Sequence, residues 1–537
     1  MSEDVHREGL SRRELITGAA AGAAFAAGGG ALLGGAERAR AAGGGGQGDG
    51  LCGGSRDLVI HNGKFLDHRG VVASQITVKD GRIVAVGRGK ELGRCTRRIN
   101  LRGRTAIPGL VDSHAHFTRT GTNPGYETRF VETAFSIAEL QEVVARRAET
   151  VPAGGFITCA GGWNQNQFAE ARLPTLAELD AAAPAHAVYL NGRTNTPGKA
   201  FFESRGLTVD PVTGQVSSTG AATAALRSIQ TFEDKVRGTA DAIAFAAATG
   251  LTSIHDTSNL TIQPDDYAVM NTLYQRSGRT LDVRMRHYRF FGASATLAEL
   301  AAYMDPIYRV AGDGTYRLNG VGELIGAGAD MLEACRLVAQ AGWRVQRHTL
   351  AAAEHQFHVD VFRQVGTEHD ISRLRWSLAH VPQITEAQLA DLISVGAGVT
   401  VQDWLYLSSN VGPVFRRIVD SGIEVGAGTD STNVAPLNPW LGIFYMTTGR
   451  NLAGVLTNDG QQLTRLEALR LNTIGSAYFS EEDHELGSFE EGKLCDLAVL
   501  SDDFLKVSDD RLRTMRSLLT LQGGRVVHAE APFADLA

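Results

Sequence analysis

Between about residues 106 and 430, eight short apolar runs each close on a polar or charged residue and alternate with stretches of helical periodicity. The runs end near His114, His255, His287, Glu323, His348, His380, Asp403 and Asp430. Strands that alternate with helices build a parallel sheet, and eight such units close into a (β/α)8 TIM barrel. Spaced apolar residues predict helices over 330–342, 385–396 and 464–479. The stretch from about 117 to 231 is too long for one connection. It is read as an insertion after the first barrel strand, with two strands of its own at 156–160 and 187–190.

The two ends of the chain carry a second pattern. Residues 57–60 and 75–86 alternate in polarity and turn at Asp80-Gly81, as a β-hairpin does. Residues 495–500 and 524–528 are similar short strands. Both sets are expected to form one small β-sandwich from 55–105 and 486–537, enclosing a barrel domain over 106–485.

Ahead of these lies an address signal. Ser11-Arg12-Arg13-Glu14-Leu15-Ile16 precedes an uncharged run rich in Ala and Gly, and Ala39-Arg40-Ala41 offers a cleavage site. Paired arginines before a mildly apolar segment predict a twin-arginine signal over 1–42, and a Gly-rich linker follows over 43–54. The expectation is export by the twin-arginine machinery to the periplasm or the exterior, with no stable membrane insertion after cleavage. A net charge of −7 offers no basic field, so no nucleic-acid partner is expected. The partner is a small-molecule substrate, and a homo-oligomer is left open. Five scattered cysteines form no metal-binding spacing, and buried apolar packing is the default use for most of them.

Side chains at the C-terminal ends of barrel strands converge on one mouth. His114 and His116, one residue apart at the first strand end, project from the same face and can reach one cation. His348, His380 and Asp430 close later strands at the same rim. Imidazoles plus a carboxylate suit Zn²⁺ or a similar divalent ion, one or two in number. His255, Trp163 and Gln402 are candidate substrate-binding residues. Asp256, His287 and Trp404 are weaker ones, and His355 and His358 are read as lying on a solvated helix face.

The segment Pro108-Gly109-Leu110-Val111-Asp112-Ser113-His114-Ala115-His116 resembles the opening metal motif of the amidohydrolase superfamily. Leu486-Gly487-Ser488-Phe489-Glu490-Glu491-Gly492-Lys493-Leu494-Cys495-Asp496-Leu497 resembles the stretch that re-enters its β-sandwich. Gly161-Gly162-Trp163-Asn164, Arg172-Leu173-Pro174-Thr175, Thr252-Ser253-Ile254-His255-Asp256 and Gly428-Thr429-Asp430 are most similar to the N-substituted formamide deformylase-like branch. The resemblance implies hydrolysis of a non-peptide C–N bond in an amide, formamide or cyclic amide by metal-activated water. It assigns Asp430 the proton transfers, and His380 either ligation of a second metal or donation to the developing oxyanion.

The chain departs from the family at several points. Many members bridge two metals with a carboxylated lysine, yet only Lys199 and Lys235 lie between His116 and the C-terminal strands, and neither sits at a strand end. Glu323 occupies the corresponding strand end and either bridges two cations or orients a histidine. Ala379 stands where a glutamate usually precedes the sixth-strand histidine. His348-Thr349-Leu350-Ala351-Ala352 lacks the usual Gly-Asp pair, and Thr194-Asn195-Thr196-Pro197-Gly198-Lys199 stands where Asp-Gly-His is common. The substrates of relatives are therefore not carried over. A mononuclear heterocycle deaminase, with Glu354 or Glu323 as proton shuttle, is the second reading. A non-catalytic barrel that retains the ligands and binds a small molecule is the third.

Overall fold

The computed structural model describes residues 57–89, 93–257, 264–292, 295–304, 311–325, 330–402, 412–431 and 434–537. The expected signal and linker, and the candidates Asp403 and Trp404, lie outside the described residues.

Eight parallel strands form the central sheet in sequence order: β1 (Leu110–Ala115), β2 (Leu251–Asp256), β3 (Arg284–Phe291), β4 (Tyr316–Ile325), β5 (Val345–Thr349), β6 (Ser377–His380), β7 (Gly398–Gln402) and β8 (Val425–Gly428). The ends of this sheet meet through the backbone. Asp430 N–H donates to His114 O at 2.8 Å, and His116 N–H donates to Ser431 O at 2.7 Å. Gly428 makes the approach possible, because a Cβ there would stand 2.5 Å from His114 N. The barrel predicted from the alternating runs is therefore the observed fold.

Helices Met331–Gln340 and Glu386–Ser394 lie where periodicity places them. Thr385 starts the second by accepting from Gln388 N–H. The single helix expected over 464–479 is instead two, Arg465–Leu471 and Ile474–Tyr478. Asn472 ends the first: its side chain donates back to Ala468 O, and its own carbonyl accepts from Val111 N–H on β1. Ser476 then bonds both Ala427 and Leu471. Tertiary bonds to β1 and β8 thus override helix continuity.

The insertion carries a four-stranded sheet in the order Arg193–Thr194, Ala187–Leu190, Phe156–Cys159, Tyr126–Glu127. Its two outer strands are two residues each, too short to leave a pattern in sequence. Glu132 ties this insertion to the barrel mouth. Its buried carboxylate accepts from Arg129 Nε at 2.6 Å and from the backbone N–H groups of Leu437 and Asn438, just after β8.

The terminal strands do pair. Leu497 opposes Pro108 in antiparallel register and Leu58 opposes Val78, within one eight-stranded sheet drawn from both ends of the chain. Its core joins Ile60, Phe65 and Ile76 with Leu497, Val499 and Leu519. Asp80 and Gly81 both have positive φ, 50° and 82°, as a two-residue hairpin turn requires. Beneath the barrel, Arg286 grips Glu482 through two bonds, Nε to Oε2 at 2.8 Å and Nη2 to Oε1 at 2.6 Å, both side chains buried. Arg284 does the same with Asp496. Post-barrel acids thereby neutralise two of the three arginines of β3.

Candidate metal centre

His114 and His116 project from the end of β1 toward the Asp430 carboxylate that follows β8. Their Nε2 atoms stand 3.5 and 3.1 Å from Asp430 Oδ1. Glu323, on β4, turns Oε2 toward His116 Nε2 at 3.4 Å. Its Oε1 meets His348 Nδ1 and lies 3.4 Å from His380 Nε2. His380 Nε2 and His348 Nδ1 are 2.9 Å apart, and His380 Nδ1 is 3.9 Å from Asp430 Oδ2. All six predicted ligand-type side chains therefore meet in one cluster. Among the described residues, two triads have donor atoms close enough for one cation: His114, His116 and Asp430, and His114, Glu323 and His380.

The surrounding bonds orient these rings. Gln346 Nε2 donates to Ser113 O at 2.9 Å, which turns its Oε1 to His114 Nδ1 at 2.6 Å. His114 Nδ1 must then carry the proton, and the Nε2 lone pair points at the cluster. Thr257 Oγ1 donates to Ala115 O and stands 3.4 Å from His116 Nδ1, favouring the same tautomer there. Asp112 accepts from His114 N–H, Thr429 N–H and Thr429 Oγ1–H, which fixes β1 against the loop after β8. Burial raises the Asp112 carboxyl to about 6, against those bonds. His380 and Asp430 have φ of 73° and 54°, left-handed conformations that L-residues rarely adopt. Such strain, about 1–3 kcal/mol per residue, persists where tertiary contacts enforce it.

The electrostatics match a cation site. Burial opposes charge on Glu323, but bonds from His348 and His380, with His116 and His114 nearby, hold it well below the usual carboxylate range. Asp430 is buried too, yet His114, His116 and His380 keep it low. Burial lowers His380 against the pull of Glu323, leaving a neutral imidazole. Two buried ring nitrogens, His114 Nε2 and His380 Nδ1, have no hydrogen-bond partner. Buried lone pairs left without a donor, aimed among carboxylates, fit a divalent cation.

The substrate-binding candidates part company. Gln402 is buried at the end of β7, with Oε1 accepting from His380 N–H at 2.7 Å. Trp163 instead packs on Phe168 in the core of the insertion. His255 lies fully buried beside Tyr288, and both its ring nitrogens lack a partner. It pairs with Arg286, and burial in that arginine-rich layer lowers it to about 3. Asp256, the last residue of β2, is the one that meets Thr118 and His287.

His355 and His358 are buried rather than solvated. His358 Nε2 accepts from Arg347 Nε, leaving Nδ1–H to donate to Thr349 Oγ1. Glu354 accepts from Leu350 and Ala351 N–H at the start of helix Ala352–Glu368, which commits one oxygen of one of the two acids named for the deaminase reading. Sequence reasoning missed Gln346 and Asp112. Each stands two residues before a ligand-type histidine on the same strand face, and that spacing is the signal that could have found them.

Known proteins share this architecture. Residues 97–528 match the amidohydrolase family model, and residues 19–93 match the urease alpha-subunit N-terminal domain. The chain is 22% identical to N-substituted formamide deformylase of Arthrobacter pascens over 533 residues, covering 87% of this chain and 98% of that one. It is 40% identical to allantoinase of Solibacter usitatus over 65 residues, 12% of this chain and 14% of the relative. An uncharacterized metal-dependent hydrolase from Pyrococcus horikoshii superposes with a TM-score of 0.54 at 19% identity, covering 84% of this chain and 99% of the other. A mutant atrazine chlorohydrolase from Arthrobacter aurescens, complexed with zinc and atraton, gives 0.57 at 17% identity, covering 89% and 96%. At these identities the structural likenesses establish the fold.

Proposed function

Because this chain belongs to the amidohydrolase family, we propose that it is an exported, metal-dependent hydrolase of a non-peptide C–N bond in an amide, formamide or cyclic amide. The observation that carries this reading is the convergence of four histidines and two carboxylates around ring nitrogens that have no other partner. His114, His116 and Asp430 would hold one cation. Glu323 stands with one oxygen toward His116 and the other toward His348 and His380, a placement suited to sharing between two. Four imidazoles with carboxylates favour Zn²⁺. Such a cation supplies Lewis-acid polarisation of a carbonyl and makes a water molecule more acidic.

The chain's own groups do the rest. Asp430, kept ionised by His114, His116 and His380, is placed to take a proton from the attacking water and return it to the leaving nitrogen. His114 is held by Gln346 in one tautomer, which keeps its Nε2 lone pair directed at the cluster. Export is supported by the paired arginines at Arg12 and Arg13 ahead of an uncharged run. Cys159, Cys335 and Cys495 are free and buried, as the default reading of cysteine expects.

The test is metal analysis of the purified protein with amide, formamide and lactam panels, on wild type and Asp430→Asn. One or two zinc ions per chain are expected, with activity lost on chelation and reduced about 10²–10⁴-fold in the variant. A folded protein that retains no metal would sink the proposal. Inactivity of metal-replete protein across every panel would move the reading to a binding-only barrel.

A further inference from the structure

Gln402 has one end committed and one end open. Its Oε1 accepts the His380 N–H at 2.7 Å, and this bond fixes which end of the amide is oxygen. The Nε2 is buried and has no hydrogen-bond partner. A buried donor left unmet is unfavourable, and at the edge of a site it is a group available to a ligand.

Strand register shows where that donor sits. His348 on β5 pairs with Ala379 on β6, and Ala379 pairs with Thr400 on β7. Paired residues of a barrel share a face, and Gln402 lies two residues beyond Thr400, so it occupies the same inward row as His348. On its other side Gln402 pairs with Gly428, which packs directly against His114, and Asp430 follows two residues later. The amide N–H₂ therefore lies in the layer of strand ends that carries His380 and Asp430.

We propose that Gln402 Nε2–H donates to the carbonyl oxygen of the scissile amide and follows it into the tetrahedral intermediate. This rests on the hydrolase reading above. Water adds its oxygen to the carbonyl carbon, its proton passes to Asp430, and the π pair moves onto the carbonyl oxygen, where the Gln402 N–H stabilises the new negative charge. Collapse restores C=O and breaks C–N as Asp430 returns the proton to nitrogen. Amide plus water give acid plus amine. A carboxamide donor held rigidly at its far end is pre-aligned for this role, and removing one such donor costs about 10²–10³ in kcat.

Two substitutions separate donation from positioning. Gln402→Glu keeps an oxygen for His380 N–H but loses the N–H donor, whereas Gln402→Met loses both. Kinetics with the best substrate of the amide, formamide and lactam panels, zinc content and thermal melts are compared with wild type. The expected result is that Gln402→Glu loses about 10²–10³ in kcat with KM changed less than fivefold, unchanged zinc and an unchanged melt. Retention of activity within threefold in Gln402→Glu overturns the inference, as does a loss confined to Gln402→Met, which would make Gln402 only a support for β6. If wild type hydrolyses no member of the amide panel, the hydrolase reading itself fails. If wild type is active and Gln402→Glu matches it, only the role of Gln402 falls.

Discussion

Replacing Gly428 with alanine is expected to damage the metal centre far more than the fold. A Cβ at that position would lie 2.5 Å from His114 N, 2.7 Å from His114 O and 2.8 Å from His114 Cβ. These neighbours are backbone or backbone-anchored, so relief requires β8 and β1 to separate by roughly 0.5–1 Å. Forcing an extra methyl into a packed site costs about 1–3 kcal/mol. The two bonds that join the strands here, Asp430 N–H to His114 O and His116 N–H to Ser431 O, would lengthen at about 1 kcal/mol each. The sum is about 3–5 kcal/mol. With an unfolding entropy of about 2.1 cal/mol/K per residue over this chain, that lowers Tm by only about 3–4 °C.

The functional effect is larger because the same displacement moves His114 and His116 away from Asp430. A misplacement of about 1 Å at a reacting group costs about 10²-fold. The assays are calorimetry, zinc content by mass spectrometry and kcat/KM on the best amide substrate. Gly220→Ala serves as control, since nothing lies within 4 Å of that Cβ and the residue sits in helix Thr219–Arg227. A Gly428→Ala protein with full zinc and kcat/KM within twofold of wild type would refute the link between strand closure and ligand geometry.

Glu482→Gln should cost about 3–5 kcal/mol, because it leaves the buried Arg286 guanidinium without its carboxylate. Arg286 and Arg317 hold Glu482 low against burial, so its contribution is present above the ordinary glutamate pKa and is lost as pH falls below it. The gap between the two proteins' melts should narrow as pH falls from about 4.3 toward 3, and a gap that stays constant would count against the ion pair. His255→Leu should flatten a different slope. The folded pKa near 3 lies below the unfolded value, so the unfolded chain takes up the proton first and wild type loses stability as pH falls from about 6.5 toward 3. Denaturant titrations across that window should show the slope in wild type and its loss in the variant. An unchanged slope would mean that His255 is protonated in the fold.

Much of this protein was legible in its chain. Alternating apolar runs and helical stretches determine a (β/α)8 barrel, because each strand must bury both faces and each return helix must cover it. The six ligand-type residues were legible from their positions: period-two geometry puts His114 and His116 on one face, and strand ends place Glu323, His348, His380 and Asp430 at the same rim. Other assignments depended on neighbours distant in sequence. His255 and Trp163 look like site residues along the chain, yet the first is enclosed with the Arg286 layer and the second belongs to the core of the insertion. Helix periodicity could not foresee that Asn472 turns to meet Val111, or that His355 and His358 are covered. Gln402 shows the division most clearly. Its place at the end of β7 follows from the sequence, but only the approach of His380 commits its oxygen and leaves its N–H₂ without a partner. Local pattern decides which face a side chain takes, whereas the partner that satisfies it comes from a strand that only tertiary closure brings near.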